Sequence, residues 1–265
     1  MMTLTPAQRE NAQRFGFRFG PGGGHTSRTI MLDELESLFS SFEHGTARRP
    51  EYRKAIVEEN CLVKRSVENR RLTYKHLVDL FSLNTDEALF RALLFFWERD
   101  PRSHALLALL CALARDPLLR QATPFILSFT EGTVISREMV EDHMKAQNPH
   151  RFSSATIKSM AQNINASLTK TGHLMGRSRK NRSRATATTA TVAYALFLGY
   201  LLGYRGKDLF QSEFANVLEG SYEQLLLLAE DAARRGWIVC QRVEEMLHIK
   251  FPALLTAEEG ELLRG

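Results

Sequence analysis

The sequence predicts a mainly α-helical protein, with an N-terminal helical lobe holding a helix-turn-helix-like unit and a C-terminal winged helix-turn-helix lobe with short β-hairpins. Three observations carry that prediction. Apolar residues recur at helical spacing through most of the chain. Strand-like alternation is confined to short pieces near 134–135, 174–192 and 237–251. Helix, turn, helix, strand, basic loop and strand follow one another between Ser136 and Val192.

Taken from the start, residues 1–28 read as a flexible Gly-rich arm, because the run from Phe15 to Gly24 is too rich in glycine to hold regular structure alone. Arg14 and Arg18 alternate with Phe15, Phe17 and Phe19, so the arm either lies on a partner or packs its phenylalanines on the body. No strand precedes the glycines, which argues against a phosphate-binding loop.

Residues 29–130 read as the N-terminal helical domain. Ile30, Leu35, Leu38, Phe39 and Phe42 share a helical face that His44-Gly45 ends, and a second helix spans about 51–59. Ser66 then caps a third helix reaching about Leu83, with Leu72, Leu77, Leu80 and Phe81 inward. Lys64, Arg65, Arg70, Arg71 and Lys75 lie on its outer surface. They form either a second phosphate-binding unit or surface pairs with Glu58, Glu59, Glu68 and Asp79. Apolar helices near 86–99 and 103–115 follow, punctuated by Asp100-Pro101 and Asp116-Pro117.

Residues 131–265 read as the winged-helix domain with a C-terminal helix and hairpin. Val134-Ile135 is a short strand, Ser136 caps a helix to about Gln147, and Ser153 or Ser154 caps the next, to Thr171. Ile157, Met160, Ala161, Ile164 and Leu168 form its inner stripe. The opposite face carries Lys158, Ser159, Gln162, Asn163, Ala166, Thr169 and Lys170, with no carboxylate: amides suit base edges, and Lys and Ser suit phosphates. His173, Leu174 and Met175 start a strand. The loop 176–184 holds Arg177, Arg179, Lys180, Arg182 and Arg184, and the Ala/Thr alternation of 185–192 suits a returning strand. A polar acid-free helix can equally be a solvated face, and a basic loop a solubility element. Helices over 208–219 and 221–235 and two strands around Val243-Glu244-Glu245 complete the chain; their acidic turn favours packing or dimerisation over contact with nucleic acid.

Composition bounds the function. With 265 residues, 44% of them hydrophobic, and 16 Gly and 8 Pro, the chain can bury one large core or two ordinary ones. Net charge is +5, yet no Asp or Glu occurs over residues 143–207, where eleven Lys and Arg lie, Arg151, Arg205 and Lys207 among them. An acid-free stretch of that length points to a polyanionic partner. Three scattered cysteines and no apolar leader favour a reducing, cytoplasmic setting. The apolar runs 105–114 and 193–204 are shorter than the roughly 20 residues a membrane span needs. Scattered histidines without metal-ligand spacing, and a basic region without carboxylates, lead to the expectation of a non-catalytic protein with no metal and no cofactor.

The order of elements from about Ile30 to Phe251 resembles the BrxA family, the small DNA-binding proteins of bacteriophage exclusion (BREX) systems. The residues that carry the resemblance are Glu59-Asn-Cys-Leu-Val-Lys-Arg-Ser66, Phe152-Ser-Ser-Ala-Thr-Ile-Lys158, the Arg-rich stretch after Leu174, and Arg234-Arg-Gly-Trp-Ile238 leading to Phe251-Pro252. None is an enzymatic signature. The resemblance implies a helical binder of double-stranded DNA serving a phage-defence locus, with other BREX-type proteins as partners and neither membrane nor small-molecule substrate. It places contacts at Lys64, Arg65, Arg70 and Arg71 in the first unit, and at Lys158, Gln162, Asn163 and the loop cations in the second. The rival readings are an adaptor that docks acidic protein partners, and a binder of single strands or RNA. The second is weakened by the scarcity of exposed aromatics in the acid-free region.

Overall fold

The computed structural model describes residues 4–21, 23–42, 47–243 and 246–263. The helices are α1 (Pro6–Arg14), α2 (Leu32–Ser40), α3 (Arg49–Val57), α4 (Val67–Phe81), α5 (Ala88–Trp97), α6 (His104–Arg115) and α7 (Pro117–Leu127), then α8 (Arg137–Gln147), α9 (Ser154–Lys170), α10 (Thr189–Leu201), α11 (Glu213–Asn216), α12 (Tyr222–Arg234) and α13 (Ala257–Leu262). Two antiparallel hairpins accompany them, β1 (Leu174–Met175) with β2 (Asn181–Arg182) and β3 (Val239–Val243) with β4 (Met246–Lys250). The protein is mainly α. No helix among the described residues is long and apolar enough to cross a membrane.

The two apolar runs of the sequence become the two most buried helices, α6 and α10. A helix apolar on all sides has to be surrounded, and α10 packs against α5, α6, α11 and α12. The Tyr194 hydroxyl on α10 donates to the Leu89 carbonyl over 3.1 Å, satisfying a buried polar group across that junction. One contiguous apolar core therefore runs through both expected lobes. The boundary expected at 130/131 does not divide it, because a helix of the second half fills the centre of the first.

Residues 4–21 and 23–28 correct the expectation of a flexible arm. Thr5 caps α1 in a reciprocal capping box with Gln8. Phe15 and Phe17 are buried, Phe17 against Phe214 at 6.0 Å, and Phe19 lies under the guanidinium groups of Arg9 and Arg120. Gly23 permits a close approach: a Cβ there would stand 1.9 Å from Asp116 Oδ1.

Two further expectations shift. The stretch 208–219 is a 3₁₀ turn (Gly206–Gln211) followed by α11, because extended Ser212 breaks the run and caps α11 through the Ala215 N–H. The Ala/Thr stretch forms no returning strand: Thr188 caps α10 in a capping box with Thr191, and the strand lies earlier, at Asn181–Arg182. The C-terminal hairpin forms as expected, with Val239 opposite Lys250 and Cys240 opposite Ile249. His44-Gly45 and Glu244-Glu245 lie outside the described residues.

Candidate nucleic-acid interface

The acid-free stretch 143–207 begins in the last turns of α8 and runs through α9 and the β1–β2 hairpin. Ser136 caps α8 by accepting the Met139 N–H, and Ser153 caps α9 by accepting the Thr156 N–H. Val140 and Met144 of α8 face Ile157, Met160 and Ile164 of α9, all buried. Asn148 fixes the intervening turn, its amide donating to Gln121 Oε1 of α7 over 2.7 Å. Behind α9, β2 lies between β1 and the chain at 132–135. Leu174 pairs with Arg182, Met175 with Asn181, and Val134 bridges Asn181 on the other side. Ile135 N–H donates to the Lys180 carbonyl and Arg182 N–H to the Thr133 carbonyl, so this small sheet fixes both ends of the loop 176–180. Gly176 turns the loop at φ 103°, where a Cβ would meet the Arg179 carbonyl at 2.1 Å.

The surface of α9 divides into three sectors. Ile157, Met160, Ala161, Ile164 and Leu168 are buried, as the periodicity predicts. The second sector is covered by the N-terminal segment: Asn163 Nδ2 donates to the His25 carbonyl (3.0 Å), Ser167 Oγ accepts the Ile30 N–H (3.0 Å), and Lys170 Nζ meets Asp33 Oδ2 at 2.8 Å. Asn163 and Lys170 were expected to face a ligand. They instead hold residues 25–33 to the helix, a tertiary contact invisible to helical spacing. The third sector remains open, with Lys158 and Gln162 exposed and Ser159 and Ala166 half-buried. Gln162, Asn165 and Ala166 border an open cleft of about 640 Å³ whose other wall is Arg177, Ser178, Arg179 and Lys180. Asn165 is only 5% exposed, and its Oδ1 has no hydrogen-bond partner among the described residues.

The loop cations differ in what they do. Arg177 and Arg179 are exposed and have no ion-pair partner among the described residues, as is also true of Lys158. Lys180 donates to the Gly176 carbonyl and Arg184 lies 3.7 Å from Glu131. Arg151 lies over the Phe152 ring and donates to Asn148 Oδ1. Arg182 corrects the expectation of a surface contact. It is 3% exposed, its guanidinium pairs with Glu219 and donates to the carbonyls of His173 and Ser183, and it secures the hairpin to the body. Burial pushes the Glu219 carboxyl upward against the pull of Arg182. Burial brings His173 down to about 4, a hydrogen bond to the Val217 carbonyl opposing and Arg182 reinforcing. The imidazole is thus neutral at pH 7, with Nε2–H donating to Val217 and Nδ1 accepting from Thr171.

The first basic unit is also sorted. Lys64 Nζ pairs with Glu34 (3.0 Å), and Arg70 donates to the Val57 and Glu58 carbonyls, closing the end of α3. Neither is free for a ligand, whereas Arg65 and Arg71 are exposed.

A buried triad at the foot of α9 has no local signature in the sequence. His25 Nδ1 lies 2.8 Å from Asp116 Oδ2, and its Nε2 lies 2.8 Å from Ser167 Oγ, in the order of a nucleophilic serine site. The chemistry differs, because Ser167 and His25 are 0% exposed and Ser167 Oγ–H also reaches the Asn163 carbonyl at 2.8 Å. No substrate carbonyl can approach that oxygen in this structure. Asp116 meanwhile caps α7 through the Leu118 and Leu119 N–H groups and accepts the His25 N–H. Burial raises its carboxyl pKa, but His25 and these N–H donors outweigh burial and leave it below the usual carboxylate range. In the sequence Asp116-Pro117 marks only a break between helices; nothing local marks His25. Among the described residues no group of three or more His, Cys, Asp or Glu could hold a metal ion. No family model matches the chain, and no curated protein matches it.

Proposed function

We propose that the chain binds double-stranded DNA through a winged helix-turn-helix, with α8 and α9 as the helix pair and the loop 176–180 as the wing. The observation that supports this most is the agreement of two independent features. The one sector of α9 that is neither buried nor covered carries Lys158, Ser159 and Gln162, and the cations without ion-pair partners, Arg177 and Arg179, lie across the cleft from it. In this reading the exposed cations contact phosphates and Gln162 reaches base edges. Because cations outnumber amides, affinity comes mainly from phosphate neutralisation. The resemblance to the BrxA family supports the same reading and extends it to a role beside other phage-defence proteins.

Titration of labelled duplex at two salt concentrations tests it. The Arg177→Glu/Arg179→Glu protein is expected to lose affinity for all duplexes alike and to show a log–log salt slope shallower by about two. Arg182 is unsuited to this test, since its reversal would bury an unpaired charge and unfold the hairpin. Unchanged affinity and slope in the double variant would refute the wing assignment.

A further inference from the structure

Of the three amides on α9, the fold leaves one able to meet a base. Asn163 is held by the His25 carbonyl and Asn165 is only 5% exposed, whereas Gln162 is exposed and its side chain makes no hydrogen bond among the described residues. Ala166 lies four residues further on, which makes the two neighbours on one helix face, and both line the cleft between α9 and the loop 176–180. The groups that would select a G·C pair are missing from this face or already engaged. Reading cytosine takes a carboxylate. None occurs on α9, and Glu138 at the cleft is held by Arg137 at 2.6 Å. Reading guanine takes a cation at the base edge. Lys158, one turn before Gln162, is a flexible point charge suited to phosphate, and Arg177 and Arg179 stand on the opposite wall.

We infer that α9 reads A·T base pairs in the major groove, with Gln162 on adenine and Ala166 on the C5-methyl group of thymine. The inference rests on the winged-helix reading and adds a sequence preference to it: phosphate contacts set the affinity for any duplex, and these two residues set which duplex is preferred. Adenine presents an acceptor at N7 beside a donor at its 6-amino group, and one amide satisfies both, Nε2–H donating to N7 while Oε1 accepts from the amino group. Guanine puts the O6 acceptor where adenine has its donor, so the same amide orientation sets two oxygens against each other. The Ala166 methyl adds an apolar contact that thymine alone among the four bases can return. The segment 25–33, by covering the adjoining flank of α9, keeps Asn163 and Lys170 out of this readout.

The experiment measures anisotropy of the full-length chain on two labelled duplexes of about 20 base pairs, two turns of helix, one of A·T pairs only and one of G·C pairs only. The A and T are placed in irregular order, so that no run of adenines narrows the minor groove. The A·T duplex is expected to bind about tenfold more tightly, the scale of one paired base contact. Replacing adenine by 7-deazaadenine, which lacks the N7 acceptor but still pairs with thymine, is expected to remove most of that preference. Replacing thymine by uracil, which lacks only the methyl group, is expected to remove a smaller part. Gln162→Ala is expected to bind the A·T and G·C duplexes alike, with thermal midpoint and salt slope unchanged, because the residue is exposed and uncharged. Equal binding of both duplexes by the wild type would overturn the inference and leave the winged-helix reading standing. A preference that survived 7-deazaadenine and Gln162→Ala would overturn it too, since it would then come from duplex shape. Failure to bind either duplex at low salt would instead sink the winged-helix reading, and this inference with it.

Discussion

At the residue scale, what decides a charged side chain's role is whether the fold supplies it with a partner. Arg182 and Arg179 stand three positions apart in one basic loop, yet one is buried against Glu219 and the other faces the cleft. Asp116 shows the same principle in a buried acid, joining the α7 cap, the N-terminal segment and, through His25, α9. Asp116→Asn leaves the shape nearly intact but removes the charge facing His25. It is expected to lower unfolding free energy by about 3 kcal/mol, the scale for breaking a buried pair, measured by denaturant titration. The pH dependence carries a sign. A carboxyl held below its unfolded value contributes fully above about pH 4 and loses that contribution as pH falls through its folded value. The wild-type stability advantage over Asp116→Asn should therefore shrink on acidification, and an advantage that grew instead would contradict the assignment.

At the element scale, α8 carries a feature that opposes anion binding. Its N-terminus borders the cleft, where free N–H groups and the helix dipole would favour a phosphate. Glu138 already places its own carboxylate there, held below the usual range by backbone N–H groups, Ser136 and Arg137. Glu138→Gln is expected to tighten duplex binding severalfold and to steepen its salt dependence, as read by anisotropy across a salt series. No change would mean that phosphates do not approach this helix end. The caps at Ser136 and Ser153, and the apolar stripe of α9, were all legible in the sequence, because caps and periodicity are set by neighbours within one turn. The strand at Asn181–Arg182 was not legible. An arginine in a basic run looks like loop until Glu219, far along the chain, neutralises Arg182 and lets it be buried.

At the scale of the whole molecule, a contiguous core running through both halves leads to the expectation of a single cooperative unit. Calorimetry is expected to show one transition whose calorimetric and van't Hoff enthalpies agree. Two separable transitions would mean that the boundary near residue 130 is a true domain border. The N-terminal segment belongs to that unit, since Phe15, Phe17 and His25 are buried within it and the segment covers one flank of α9. It thereby limits which face of α9 a duplex can meet.

Sequence by itself determined the helical class, the two buried apolar helices, the caps of α4, α8 and α9, the C-terminal hairpin and the acid-free stretch 143–207. Each follows from local spacing or composition, which survive without knowledge of distant contacts. Tertiary structure alone decided that the glycine-rich start packs, that the two lobes share one core, and which basic residues are available to a ligand. Those outcomes depend on pairs such as His25 with Asp116, Lys170 with Asp33 and Arg182 with Glu219. Partners so far apart in the chain leave no periodic signature in it, because only folding brings them within hydrogen-bond reach.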